Sequence, residues 1–170
     1  MSVEQHRAVA GAPSFGFAVI TASDSRKPGD DLSGALVRER AAAAGHGVAE
    51  SRLVPDEAGA LRAAVGAALA LPAVDVVVVT GGTGLAPRDV TIEAVAPLFG
   101  KTIDGFGELF RRLSFDEIGP AAMLSRAAAG VVAGKAIFLL PGSPAAVRLA
   151  LDRLILPELA HLLAQARRAR

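Results

Sequence analysis

Residues 80–91 read TGGTGLAPRDVT and follow directly on an apolar, β-branched run, VDVVVVT (74–80). Gly81, Gly82 and Gly84 carry no Cβ, so their backbone N–H groups can approach an anion closely where the chain enters a helix. Flanked by Thr80 and Thr83, the loop reads as a phosphate cradle, with an ordinary tight turn as the plainer alternative. It closes on Arg88 and Asp89: the arginine could offset phosphate charge or simply pair with its neighbour. A second carboxylate, Asp56 in LVPDE, stands at the end of what reads as a neighbouring strand-to-helix segment. Both aspartates precede helices, where this residue type commonly serves only as an N-cap. Neither common nucleotide loop fits. Gly100-Lys101-Thr102 has the ending of the phosphate-loop motif, but Val95 occupies the place of its first glycine. The dinucleotide fingerprint fails because Pro87 stands three residues after Gly84.

The elements that must hold these residues alternate. FGFAVIT (15–21) reads as a strand, and DLSGALVRERAAAAG (31–45) as an Ala-rich helix capped by Asp31 and stopped at Gly45. GVAESRLV (47–54) is a more exposed strand, and DEAGALRAAVGAALAL (56–71) a helix with acidic residues in its first turn. VDVVVVT is apolar on both faces, as a central strand covered by helices on both sides must be. VTIEAVAPLF (90–99) is helical, and residues 106–130 supply one or two more helices, broken at Gly119-Pro120. VVAGKAIFLL (131–140) reads as two short strands around a turn at Ala133 to Lys135. A closing helix starts at Pro144 with Ser143 as its cap, and Pro157 should kink or split it.

This alternation predicts a three-layer α/β/α sandwich with a mostly parallel central sheet. Ligands in such folds sit beyond the carboxyl ends of the strands. Three loops qualify: TASDSRKPGDD after the first strand, the glycine loop after the central one, and LPGSP after the last.

With 170 residues, 52% of them hydrophobic, the chain can build one core. The expected organisation is a flexible lead over residues 1–13 and a single domain over 14–170. Aromatics make up 4% and tryptophan is absent, so Ala, Val, Leu and Ile must fill the core. Cysteine is absent, which removes disulfides and thiolate metal sites, and His6, His46 and His161 are too scattered to form a metal cluster. A net charge of +1 gives no reason to expect a nucleic-acid partner, and the final RRAR reads as a solvated helix end. No uncharged stretch is long enough to span a membrane, and MSVEQHRAVAGAP lacks the charged-then-apolar order of a secretion signal; a cytoplasmic protein is expected. A mean hydropathy of +0.43 suggests apolar area that a symmetric interface would cover. Phe106, Leu109, Phe110 and Leu113 recur at helical spacing and could form that interface or the core.

Taken together, TGGTG, PRDVT, LVPDE, GFGELFRRLSF, LSRAAAG and LPGSPAAV resemble the MoaB/MogA family of molybdenum cofactor biosynthesis proteins. The resemblance runs from about Phe15 to the closing helix, and GFGELFRRLSFDEIG leans towards the MoaB branch. It implies a molybdopterin-binding domain that assembles as a homotrimer or hexamer. It also implies an adenylyltransferase that moves AMP from ATP to the terminal phosphate of molybdopterin with Mg²⁺ and releases pyrophosphate. The acids essential to such members match Asp56 and Asp89, which are therefore assigned to catalysis and to metal and nucleotide positioning. The substrate loop is Thr80, Gly81, Gly82, Thr83 and Gly84, with Arg88 beside it. Asp24 and Ser25 fit two readings, closing over the nucleotide or metal side or simply belonging to a polar loop. Ser125, Pro141, Gly142 and Ser143 resemble pterin-side positions, although Ser143 also has a structural use as a cap. Glu108 falls in a family block and equally suits a solvated helix face. The alternative to an enzyme is a molybdopterin-binding or carrier protein of the same pathway that does not turn over.

Overall fold

The computed structural model describes residues 13–25 and 28–168; the expected lead over residues 1–13 lies, apart from Pro13, outside them. Six strands form one sheet in the order β2-β1-β3-β6-β5-β4. They are β1 (Gly16–Ala22), β2 (Gly47–Val54), β3 (Val76–Thr80), β4 (Lys101–Thr102), β5 (Ala128–Val132) and β6 (Lys135–Leu140). β1, β2, β3 and β6 run parallel, while at one edge β5 pairs antiparallel with β6 and β4 antiparallel with β5. β3 is buried along its whole length between β1 and β6, as its unbroken valine run requires. β2 is the opposite edge, and its partial exposure agrees with its polar composition.

Helices cover both faces. Val76 and Val78 point into a core filled by Leu36, Val37, Phe106, Phe110, Val147 and Ile155, from α1 (Leu32–Ala43), α4 (Asp104–Ile118), α5 (Pro144–Ala150) and the turn that follows it. Val77 and Val79 point the other way, onto Leu61, Ala64, Val65 and Ala68 of α2 (Ala58–Ala70) and Ala94 and Val95 of α3 (Thr91–Val95). The spacing 61, 64, 65, 68 is one helical stripe, and alanine at two of its places lets α2 lie close to the sheet.

The caps read from the sequence form as expected. Asp31 accepts the Gly34 N–H at 2.9 Å, and Gly45, at φ +82°, ends the first helix. Two expectations need correction. The helix drawn over residues 106–130 ends at Ile118, passes through a 3₁₀ turn (Gly119–Leu124), and gives way to β5, because the segment pairs with β6 from Ala128 onward. Lys101–Thr102, to which the sequence pattern assigns no element, pairs with Val131 and Gly130. Asp56 and Asp89 do not follow neighbouring strands, since β1 lies between β2 and β3. Pro157 splits the closing helix, as expected. It cannot donate to the Arg153 carbonyl, and the preceding turn widens to a π-helix (Leu151–Ile155) before α6 (Leu156–Ala166). Among the described residues, no helix is long and apolar enough to cross a membrane.

Candidate functional site

The chain order reverses between β1 and β3: from β1 the chain steps outward to β2, then crosses back to β3 and continues the other way. Such a switch point opens a crevice at the carboxyl ends of the strands. Here it holds an open cleft of about 540 Å³, walled by Ser23 and Ser25 after β1, Gly81 to Gly84 after β3, and Pro141 to Ser143 after β6. Phe110, Ser114, Ile118, Leu124, Ser125 and Arg126 form the far wall. The buried polar residues gather here too. Thr80 donates its hydroxyl to the Pro141 carbonyl at 2.9 Å, Ser33 to the Gly142 carbonyl at 2.8 Å, and Thr21 to Asp31 at 2.8 Å.

The glycine loop is held from behind. Gly81 sits at φ +95° and Gly82 at φ +61°, conformations that favour glycine. A Cβ on Gly82 would collide with the Asp56 carboxylate and the Thr91 hydroxyl. The N–H of Gly81 donates to the Leu140 carbonyl at 3.1 Å, tying the loop to the end of β6. The next three amides, on Gly82, Thr83 and Gly84, have no acceptor among the described residues. Thr83 is buried, Gly82 half-buried and Gly84 exposed, so three successive unengaged N–H groups line an open cleft, an arrangement that suits an anion.

The carboxylates meet this loop from two sides. Asp56 follows β2 and abuts Gly82; Asp89 lines the cleft and abuts Gly84. Neither is an N-cap: Glu57 and Val90 occupy the cap positions, without side-chain caps. Burial holds the Asp56 carboxyl above the ordinary aspartate range, and the negative charges of Asp89 and Asp24 push the same way, against a Val90 N–H bond and the Arg88 charge. Its Oδ1 is buried with no hydrogen-bond partner. A carboxylate oxygen without a donor, facing like charge, suits a hard cation that keeps other oxygen ligands. Asp89 Oδ2 accepts the Ala86 N–H at 3.1 Å, which steadies the loop. Arg88 pairs with Asp24 rather than with Asp89, and Asp24 Oδ1 also accepts the Asp56 N–H at 2.9 Å. The loop after β1 is thereby bound to both acidic loops.

With this geometry in hand, comparison with known proteins decides the family. Residues 18–161 match the family described as "Probable molybdopterin binding domain". The chain belongs to this family. A relative, "Molybdenum cofactor biosynthesis protein B" of Bacillus subtilis (strain 168), is 48% identical over 170 residues, 99% of each chain. The crystal structure of a molybdenum cofactor biosynthesis protein B superposes with a TM-score of 0.91 at 46% identity, covering 94% of this chain and 99% of that one. The tungsten cofactor synthesizing protein MoaB from Pyrococcus furiosus superposes at 0.79 and 39% identity, covering 91% and 98%.

Within this molybdopterin-binding domain, most residues selected from the sequence converge on the one cleft. Ser25, Gly81, Gly82, Thr83, Gly84, Asp89, Ser125, Pro141, Gly142 and Ser143 line it. Thr80, Asp56, Asp24 and Arg88 stand directly behind or beside it through the contacts above. Ser143 also caps α5, accepting the Ala146 N–H at 3.3 Å. Glu108 does not join them. It is exposed in a separate hollow with Asp104 and Arg111, because it lies two residues from both Phe106 and Phe110, whose side of α4 faces the core.

The sequence reading passed over Arg126, Thr91 and Ser33. Thr91 is fully buried and donates its hydroxyl to the Gly81 carbonyl at 2.8 Å. Arg126 adds a cation to the cleft wall. The available signal was its isolation: one charge amid the small and apolar residues of LSRAAAG, next to Ser125.

Proposed function

We propose that the protein is a molybdopterin adenylyltransferase, transferring AMP from ATP to the terminal phosphate of molybdopterin with Mg²⁺. The observation that carries this reading is a row of unengaged amides, on Gly82, Thr83 and Gly84, set beside two carboxylates from different loops. One of those carboxylates has a buried oxygen without a donor. A terminal phosphate oxygen of the pterin attacks the α-phosphorus of ATP. A new P–O bond forms as the bond to the bridging oxygen breaks, and pyrophosphate leaves with the electron pair. Two anions must approach each other, so alignment and charge compensation matter more than an acid or base.

In this reading the three amides bind phosphate oxygens, and their fixed directions hold the reacting phosphate without reorganisation. Asp56 and Asp89 would hold Mg²⁺, which supplies positive charge to phosphate oxygens when bound. Asp24 and Ser25 border the nucleotide side. Ser125 and the turn at Pro141, Gly142 and Ser143 border the pterin side, and the exposed side chains of Ile118 and Leu124 give that wall an apolar surface for a planar heterocycle. Relatives named for molybdenum and tungsten cofactor synthesis support the choice of substrate. Assembly into a trimer or hexamer belongs to the same proposal, supported by the exposed apolar side chains of Leu109, Phe115 and Met123, which lie outside the cleft lining.

The test is direct. Purified protein is incubated with ATP, Mg²⁺ and molybdopterin, and the products are separated by mass. Adenylylated molybdopterin should form only when all three are present. Tight molybdopterin binding with no adenylylated product would replace the enzyme with a carrier.

A further inference from the structure

The amides of the glycine loop point where they do because the carbonyls before them are restrained. All peptide bonds among the described residues are trans, and in a trans peptide each C=O is antiparallel to the next N–H. Thr91 restrains two of them: its hydroxyl donates to the Gly81 carbonyl at 2.8 Å and its N–H to the Gly82 carbonyl at 2.9 Å. These contacts set the N–H directions of Gly82 and Thr83. The third carbonyl, on Thr83, accepts from Arg126 Nε at 3.1 Å, which sets the N–H of Gly84 pointing away from the arginine.

Arg126 reaches the loop from the far wall of the cleft, just before β5. Its two terminal nitrogens are engaged by Glu93 on α3, at 2.6 Å and 2.8 Å. This fork-to-fork pairing fixes the plane of the guanidinium and leaves Nε–H for the loop. It also balances the charge that an arginine beside an anion site would ordinarily present. Thr91 and Glu93 belong to the same helix, so one short element braces all three peptide units of the cradle, two directly and one through Arg126.

We infer that Arg126 is a positioning residue: with Glu93 as its anchor it orients the Thr83–Gly84 peptide so that the Gly84 amide meets the bound anion. The inference rests on reading the glycine loop as a phosphate site. It assigns the arginine's contribution to direction and not to charge. Lysine would keep the charge but has no planar fork that could hold Glu93 and Thr83 together.

The opposite signs of these two roles make the test decisive. Amide spectra of the ¹⁵N-labelled full chain are titrated with inorganic pyrophosphate for the native protein, Arg126→Lys and Glu93→Gln. In the native protein the Gly82, Thr83 and Gly84 amides should shift together to saturation. Arg126→Lys should bind about tenfold more weakly, the size expected for losing one charge-assisted hydrogen bond. Its Gly84 response should fall relative to that of Gly82, whose Thr91 brace is intact. Glu93→Gln should also weaken binding, although it leaves a freer cation beside the cleft.

Native affinity in Arg126→Lys, or tighter binding in Glu93→Gln, would overturn the inference and make Arg126 a charge acting on the ligand. Absence of any response from the three amides in the native protein would overturn the phosphate reading and this inference with it. The amides of Val77 and Ile137, buried in adjacent strands, report whether each variant keeps its sheet. If Arg126→Lys loses that pattern, Glu93→Gln decides alone.

Discussion

Asp56 holds its proton more tightly than a free aspartate, because burial and the charges of Asp89 and Asp24 all disfavour its ionised form. The folded state therefore binds more protons than the unfolded state in the window that begins at the ordinary aspartate value of 3.8 and extends up to the raised native value. Stability from this group is full below that window and is lost as pH rises through it. In metal-free protein, Asp56→Asn should raise the melting temperature at pH 7, with the gain vanishing near pH 3.5; a variant no more stable than its parent at pH 7 would contradict the electrostatic account. Gly82→Ala tests the cradle itself. Its positive φ and the collision with Asp56 and Thr91 should cost about 1–3 kcal/mol in urea unfolding. Pyrophosphate binding should also weaken at least tenfold. At this scale the glycines were legible, because the backbone needs glycine there, whereas Asp56 and Asp89 stood out only through the family resemblance, since an aspartate before a helix reads equally as an N-cap. Arg126 and Thr91 were not legible, since what they do depends on which loops the fold brings beside them.

Among the elements, α1 depends on Asp31, whose carboxylate caps the helix and also accepts from the buried Thr21 hydroxyl. Asp31→Ala removes a cap and leaves that hydroxyl without its acceptor, so it should cost about 2–3 kcal/mol in chemical unfolding. A cost below about 0.5 kcal/mol would mean that water replaces both bonds. Caps of this kind were readable because they are local. The boundary at 125–130 was not, because LSRAAAG has a helical composition and becomes strand only through pairing with β6. Gly130 shows the non-local reason for its own identity: a Cβ there would meet the ring of Phe99. β4 is likewise a product of pairing, two residues held by Gly130 and Val131 and without any pattern of their own.

For the whole molecule, the alternation of apolar runs and Ala-rich helices was enough to give the layered architecture, because only a sheet covered on both faces accommodates a strand as apolar as β3. The strand order and the antiparallel edge were beyond it, being set by packing between distant segments. What α4 buries was also ambiguous. Phe106 and Phe110 turn inward to the core, whereas Leu109 and Phe115 are exposed, as is Met123, none of which lines the cleft. Exposed apolar side chains gathered along one segment call for a cover, and the proposed assembly supplies it. Sedimentation equilibrium should show a trimer or hexamer, with Phe115→Glu shifting it towards monomer while the circular dichroism spectrum is retained. A native protein that sediments as a monomer at all concentrations would remove the assembly from the proposal.

The central claim is that the two acids beside the glycine loop serve nucleotidyl transfer, and the most direct measurement is pyrophosphate release from ATP and Mg²⁺ with molybdopterin present. Native protein should release pyrophosphate in step with molybdopterin consumed. Asp56→Asn and Asp89→Asn should each lower the rate at least about a hundredfold, comparable to losing one main electrostatic contact in a preorganised site, while still folding and binding the pterin. Native protein that binds molybdopterin and releases no pyrophosphate, or variants that turn over at the native rate, would contradict the account.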